Sequence, residues 1–166
     1  MQPDTQSIFE WLENTPLAIG IADSAIAFPW IESFHVIAAS IVVGLLIYID
    51  LRLLGKHATS QRVTKMSRAS LPWVWGAFVV SVVTGILMFS QTAVKYSTNK
   101  LFLAKMILLV VAGLNMVVFH FSTWKSVDTW DTVLPPPGRV RLAGATSLCV
   151  WLAVIVIARW IGFSLL

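Results

Sequence analysis

Four stretches of this chain are each longer and more apolar than a small soluble fold can accommodate. They run from about Pro29 to Leu54, Leu71 to Ala93, Leu101 to Trp124 and Arg139 to Phe163. Each exceeds the ~20 residues a helix needs to cross a ~30 Å hydrocarbon core with some tilt. Pro29 is tolerable in a first helical turn, where its missing N–H would be unpaired anyway. Trp30, Trp73, Trp75, Trp124 and Trp160 lie near the ends of spans, where an amphipathic ring prefers the headgroup level. The expected fold is all-α: an integral membrane four-helix bundle with the lipid bilayer as its surroundings.

Composition leaves little room for anything else. Of 166 residues, 57% are hydrophobic and 12% charged, against ~45–50% and ~25% in a soluble domain. Too few charges remain to coat a water-facing surface. The length suits one bundle over residues 29–166, preceded by an interfacial amphipathic segment over residues 1–28. Short helices are expected near Ile8–Leu12 and Leu17–Ile26, lying on the membrane surface. That region does not read as a signal peptide, because it lacks a basic start and carries Asp4, Glu10 and Glu13.

Lysine and arginine set the orientation. Arg52, Lys56, Arg62, Lys65 and Arg68 follow the first span, and Lys125, Arg139 and Arg141 follow the third. The opposite side has Lys95 and Lys100, and residues 1–34 contain neither residue type. The positive-inside rule then puts both basic loops in the cytoplasm and both termini outside. No face combines basic and aromatic residues, so nucleic acid is not an expected partner. Pro135-Pro136-Pro137-Gly138 reads as a stiff turn into the fourth span. The single cysteine, Cys149, excludes a disulfide framework, and the absence of Cys-x-x-Cys-His excludes covalent c-type haem.

Function has to be read from the few polar groups within the spans. An ionisable side chain at a helix centre costs at least ~2.5–3.5 kcal/mol on insertion scales, so it persists by facing the interior and finding a partner. His35, six residues into span one, and Lys105, four into span three, both lie ~6–9 Å below the outer boundary. Arg159, near the end of span four, returns to that level, as do Gly85 and Met88 of span two. Three basic groups and a thioether thus share an outer layer, with Glu32 the nearest carboxylate. Asp50 and His120 each follow by fifteen residues, forming a second layer on the cytoplasmic side, with Arg52, His57 and Met66 just beyond. His35 and His120 are ~20 Å apart along the axis and cannot share one iron.

A buried cationic layer suits an anionic cofactor, and haem b fits: imidazole is a normal axial ligand, Met or Lys can serve the other side, and Arg or Lys can pair with propionates. Small residues (Ala38, Ala39, Gly44, Gly85, Gly113) would let a flat macrocycle lie between helices. The plainer reading has His35 and Lys105 bonded to backbone carbonyls and Arg159 snorkelling outward. His120 beside Asp50 could equally brace two helices, and His57 could be simply solvated; both are lesser candidates for a second metal site.

The run His35-Val-Ile-Ala-Ala-Ser-Ile-Val-Val-Gly44, followed by Asp50-Leu-Arg52-Leu-Leu-Gly55, resembles the first helix of a bacterial superfamily of small membrane proteins. Thr84-Gly85, Leu101-Phe-Leu-Ala-Lys105 and the segment from Asn115 to His120 add to the likeness. That superfamily includes the HemJ-type protoporphyrinogen oxidases and the membrane domain of copper resistance protein D. The chain is most similar to an uncharacterised branch of four-helix proteins that begin Trp-Leu-Glu-Asn, as Trp11-Leu12-Glu13-Asn14 does here. In the HemJ-type family a first-helix His and a Lys opening a later helix are the functional pair. The resemblance implies haem b, with His35 as axial ligand and Lys105 beside it.

The expected function is a membrane b-type cytochrome in the bacterial inner membrane. It would pass electrons between a periplasmic species, superoxide among the candidates, and a membrane partner such as quinone. His35 would be the iron ligand, with Lys105, Arg159 and Met88 also binding the cofactor. The alternatives are a protoporphyrinogen oxidase-like enzyme and a membrane copper-binding or copper-transport protein, for which Met88, His35, His57 and Met66 would be the ligands. Small residues on more than one face (Ala38, Ser40, Gly44; Ala143, Gly144, Ala145) point to a homodimer or homotrimer.

Overall fold

A computed structural model describes residues 4–132 and 135–164. Two short helices, α1 (Asp4–Glu13) and α2 (Pro16–Ala22), precede the first long helix, α3 (Ala27–Leu53). Then follow α4 (Val63–Ser90), a short α5 (Ala93–Thr98), α6 (Lys100–Val118), a four-residue α7 (Val127–Trp130) and α8 (Gly138–Ser164). Among the described residues four helical stretches are long and apolar enough to span a bilayer, beginning at Ala27, Val63, Lys100 and Gly138. Their outward faces carry large apolar side chains such as Phe34, Val79, Ile107, Leu114 and Val156. Exposure on that scale is tolerable only in lipid. The chain is a multi-pass membrane protein.

The helix ends follow local chemistry. Thr15 caps α2 by accepting from the Ala18 N–H, and Asn99 caps α6 by accepting from the N–H groups of Leu101 and Phe102. α3 stops at Gly55, whose φ of 72° lies in the left-handed region that glycine adopts without a Cβ penalty. The third span departs from a simple α-helix. It continues past Val118 through a π-helical turn over Phe119–Thr123 and a 3-10 turn over Trp124–Ser126. α4 begins eight residues before the expected start, so Lys65 and Arg68 lie in its first turns and not in a loop.

The four long helices pair as α4 on α3, α3 on α8 and α8 on α6. Among the described residues α4 and α6 make only marginal backbone approach, so the fourth side of the bundle is open over most of its length. The packed core lies at the basic end, where Ile49 and Leu53 meet Val63, Phe119, Val127, Trp130 and Val140. At the other end α1 lies over α5, with Glu13 accepting from the Val94 N–H at 2.9 Å. If the basic end is cytoplasmic, cysteines placed at residues 59 and 129 should react with an impermeant thiol reagent only after the membrane is opened. Cysteines at residues 14 and 98 should react in intact cells.

Candidate functional site

His35 faces α4. Its Nδ1 is 2.9 Å from the Ser81 carbonyl oxygen and 3.0 Å from the Thr84 hydroxyl. The carbonyl can only accept, so Nδ1 carries the proton. The Thr84 hydroxyl donates to the Val80 carbonyl at 2.7 Å and is free to accept from His35 as well. In the neutral imidazole this leaves the Nε2 lone pair uncommitted. It is the tautomer that ligates a metal, and the backbone carbonyl is the kind of support that fixes a ligand's ring. Gly85 makes the approach possible: a Cβ there would meet His35 Cε1 at 3.2 Å.

The outer layer is only partly gathered. Lys105 of α6 and Glu32 of α3 lie close enough to His35 to act on it electrostatically. The Lys105 ammonium sits 5.8 Å from the Phe102 ring centre. Met88 is half-buried one turn above Thr84, on the α4 face that His35 contacts. Arg159 stands apart, exposed on α8 and stacked 4.8 Å over Phe163 of its own helix. Its level matches the layer; its azimuth does not.

A roof of aromatic rings covers this end of the open side. Phe89 of α4 stacks on Phe102 of α6 with centroids 5.4 Å apart, Tyr96 of α5 packs on both, and Phe9 of α1 meets Phe89 edge-on. Burial first, and the nearby Glu32 carboxylate second, push the Tyr96 phenol above its usual range, so the roof stays uncharged there. The roof rests on α5, a six-residue helix within a stretch whose sequence has the character of a loop.

The second layer does not form as expected. Asp50 is 4% exposed, turned towards α8, with the Ser147 hydroxyl in hydrogen-bonding reach and its Oδ2 without a partner. His120 is exposed in the π-helical turn beyond α6, its Nδ1 donating to the Met116 carbonyl and its ring stacked on Trp124. The two are not partners. His57 is exposed against Tyr48, and Met66 is buried near the start of α4. Met66 and Met88 are ~33 Å apart along α4, so His35, Met88, His57 and Met66 cannot form one copper site.

The donor set fits a haem better than a bare ion. Among the described residues no three His, Cys, Asp or Glu side chains come together, whereas a haem asks the protein for one imidazole and brings its own four nitrogens. His35 offers that imidazole, beside a cation and under an apolar roof. Neither the curated proteins nor the solved structures contain a significant match. One family model does match, over residues 8–164. The chain therefore belongs to the family described as a family of unknown function, DUF6644.

Proposed function

We propose that the protein is a membrane b-type cytochrome in which His35 ligates haem b. The observation that carries this reading is the fixed tautomer of His35, with Nδ1–H held by the Ser81 carbonyl and Nε2 left as a lone pair. When bound, haem b supplies an iron that changes valence and so carries single electrons. The Ser81 carbonyl and Thr84 hydroxyl orient the imidazole, and Gly85 gives it room. Lys105 would offer a positive charge at the same level for a propionate, whereas Arg159, turned away on α8, would not. Met88, one turn along α4 from Thr84, would be a further residue to hold the group. Phe89, Tyr96 and Phe102 keep water from this end.

The likeness of His35 and Lys105 to the functional pair of the HemJ-type family supports the same assignment, and the open α4–α6 side gives a flat macrocycle a way in. That likeness and the basic loops support a position in the bacterial inner membrane. The test is spectroscopic. Protein purified from cells supplied with a haem precursor should show a Soret band and reduced b-type bands. His35→Ala protein should lose both while keeping its helical circular dichroism, and His57→Ala and His120→Ala should keep both. A Soret band of normal position and intensity in His35→Ala would overturn the assignment.

A further inference from the structure

Below His35, on the lipid side of the α3–α4 seam, lies a groove of about 380 Å³. Ser40, Ile41 and Gly44 of α3 line it together with Ala69, Ser70 and Trp73 of α4. Ser33 of α3 and Ser90 of α4 return their hydroxyls to a carbonyl of the preceding turn, those of Pro29 and Leu87. Ser40 and Ser70 make no hydrogen bond among the described residues. Ser70 is 8% exposed and lines the groove, so its hydroxyl is open to the groove and has no protein partner. A hydroxyl in hydrocarbon is costly unless something accepts from it.

We propose that this groove binds the ring of a lipid-soluble quinone. Its two carbonyl oxygens accept from Ser40 and Ser70, and its face lies against Trp73 over the open floor at Gly44. Depth separates this ligand from an ordinary phospholipid. Ser40 is thirteen residues from either end of α3, ~20 Å each way. It therefore sits near the bilayer midplane, ~15 Å from the ester carbonyls at the hydrocarbon boundary. Only a molecule that carries its carbonyls into the hydrocarbon reaches it. The His35–Ser81 contact sets the register of α3 on α4 and puts Ser40 ~9 Å above Ser70 along the seam. A ring with carbonyls on opposite edges spans that distance with one hydrogen bond at each end. Trp73, exposed and flat, supplies the stacking surface. Binding is independent of His35; use of the quinone as an electron partner rests on the haem reading above.

The experiment uses the full chain in lipid nanodiscs. Irradiation with an azido-ubiquinone should label peptides covering residues 40–45 and 69–73, and decylubiquinone should compete. In a fluorescence titration with decylubiquinone, Gly44→Leu should raise Kd about tenfold or more. A Cβ at Gly44 has no neighbour within 4 Å, so the leucine fills the groove without disturbing the helices. Ser70→Ala should raise Kd about three- to tenfold, the loss of one hydrogen bond. Gly162→Leu, equally open but on α8, should leave Kd unchanged. Absence of saturable binding, unchanged binding in Gly44→Leu, or equal competition by a carbonyl-free isoprenoid such as squalene would overturn the proposal. The last of these would make the groove an acyl-chain cleft. Soret absorbance of the same samples reads the haem assignment separately, so failure of either claim is distinguishable from failure of the other.

Discussion

Replacement of Arg52 by alanine should destabilise the folded protein by about 3–6 kcal/mol, the loss of two charge-assisted hydrogen bonds of ~1.5–3 kcal/mol each. Arg52 is completely buried at the basic end of α3. Its Nε donates to the Gln61 carbonyl at 2.8 Å and one terminal nitrogen donates to the Asp131 carbonyl at 2.9 Å. The Asp131 carboxylate in turn accepts from the N–H and hydroxyl of Thr64 at 3.1 and 2.6 Å. One guanidinium thus ties the loop before α4 to the loop after α7, over the core of Val63, Trp130 and Val140. Without it the buried Asp131 carbonyl and the Gln61 carbonyl lose their donor. Thermal or detergent-titrated unfolding measures the loss.

Arg52→Lys is the informative companion. It keeps the charge that counts towards membrane orientation but has one nitrogen where the guanidinium has a fork, and cannot serve both carbonyls. Arg52→Lys should therefore fall between wild type and Arg52→Ala in stability, with an unchanged topology. A lysine variant as stable as wild type would reduce Arg52 to a topogenic charge.

From sequence, Arg52 was indistinguishable from Lys56 or Arg62, because all three lie in one basic stretch. The difference is made by Gln61 and Asp131, which chain separation hides. Level was legible: the count of residues from each span end placed His35 and Lys105 together, and they do interact. Azimuth was not. A membrane helix meets apolar surroundings on every side, lipid outside and neighbours inside, so its sequence shows little of which face turns inward. Arg159 and His120 share levels with the predicted partners but point elsewhere. The span positions and the all-α fold followed from length and apolarity alone. The open α4–α6 side did not, since four spans of similar character do not announce which pairs will touch.

Gly144 makes the join between the two helix pairs, and substitution there should oppose the usual effect of replacing glycine in a helix. A Cβ at Gly144 would lie 2.9 Å from Leu53 Cβ and 3.1 Å from the Asp50 carbonyl oxygen. Both are fixed to the α3 backbone, so α3 and α8 would have to separate. Overpacking of this kind costs ~1–3 kcal/mol, and Gly144→Ala should lose that much stability. Gly76→Ala is the control: its Cβ meets nothing within 4 Å, and it should be neutral or stabilising by up to ~1 kcal/mol. Because α3 against α8 is the sole broad contact joining the α3–α4 pair to the α6–α8 pair among the described residues, the damage should reach the outer layer too. His35 belongs to one pair and Lys105 to the other. A cysteine pair reporting the distance between residues 35 and 105, read by spin-label spectroscopy, should broaden or lengthen in Gly144→Val and stay unchanged in Gly76→Val. An unchanged distance in both would show that the two pairs are held together by contacts other than this seam.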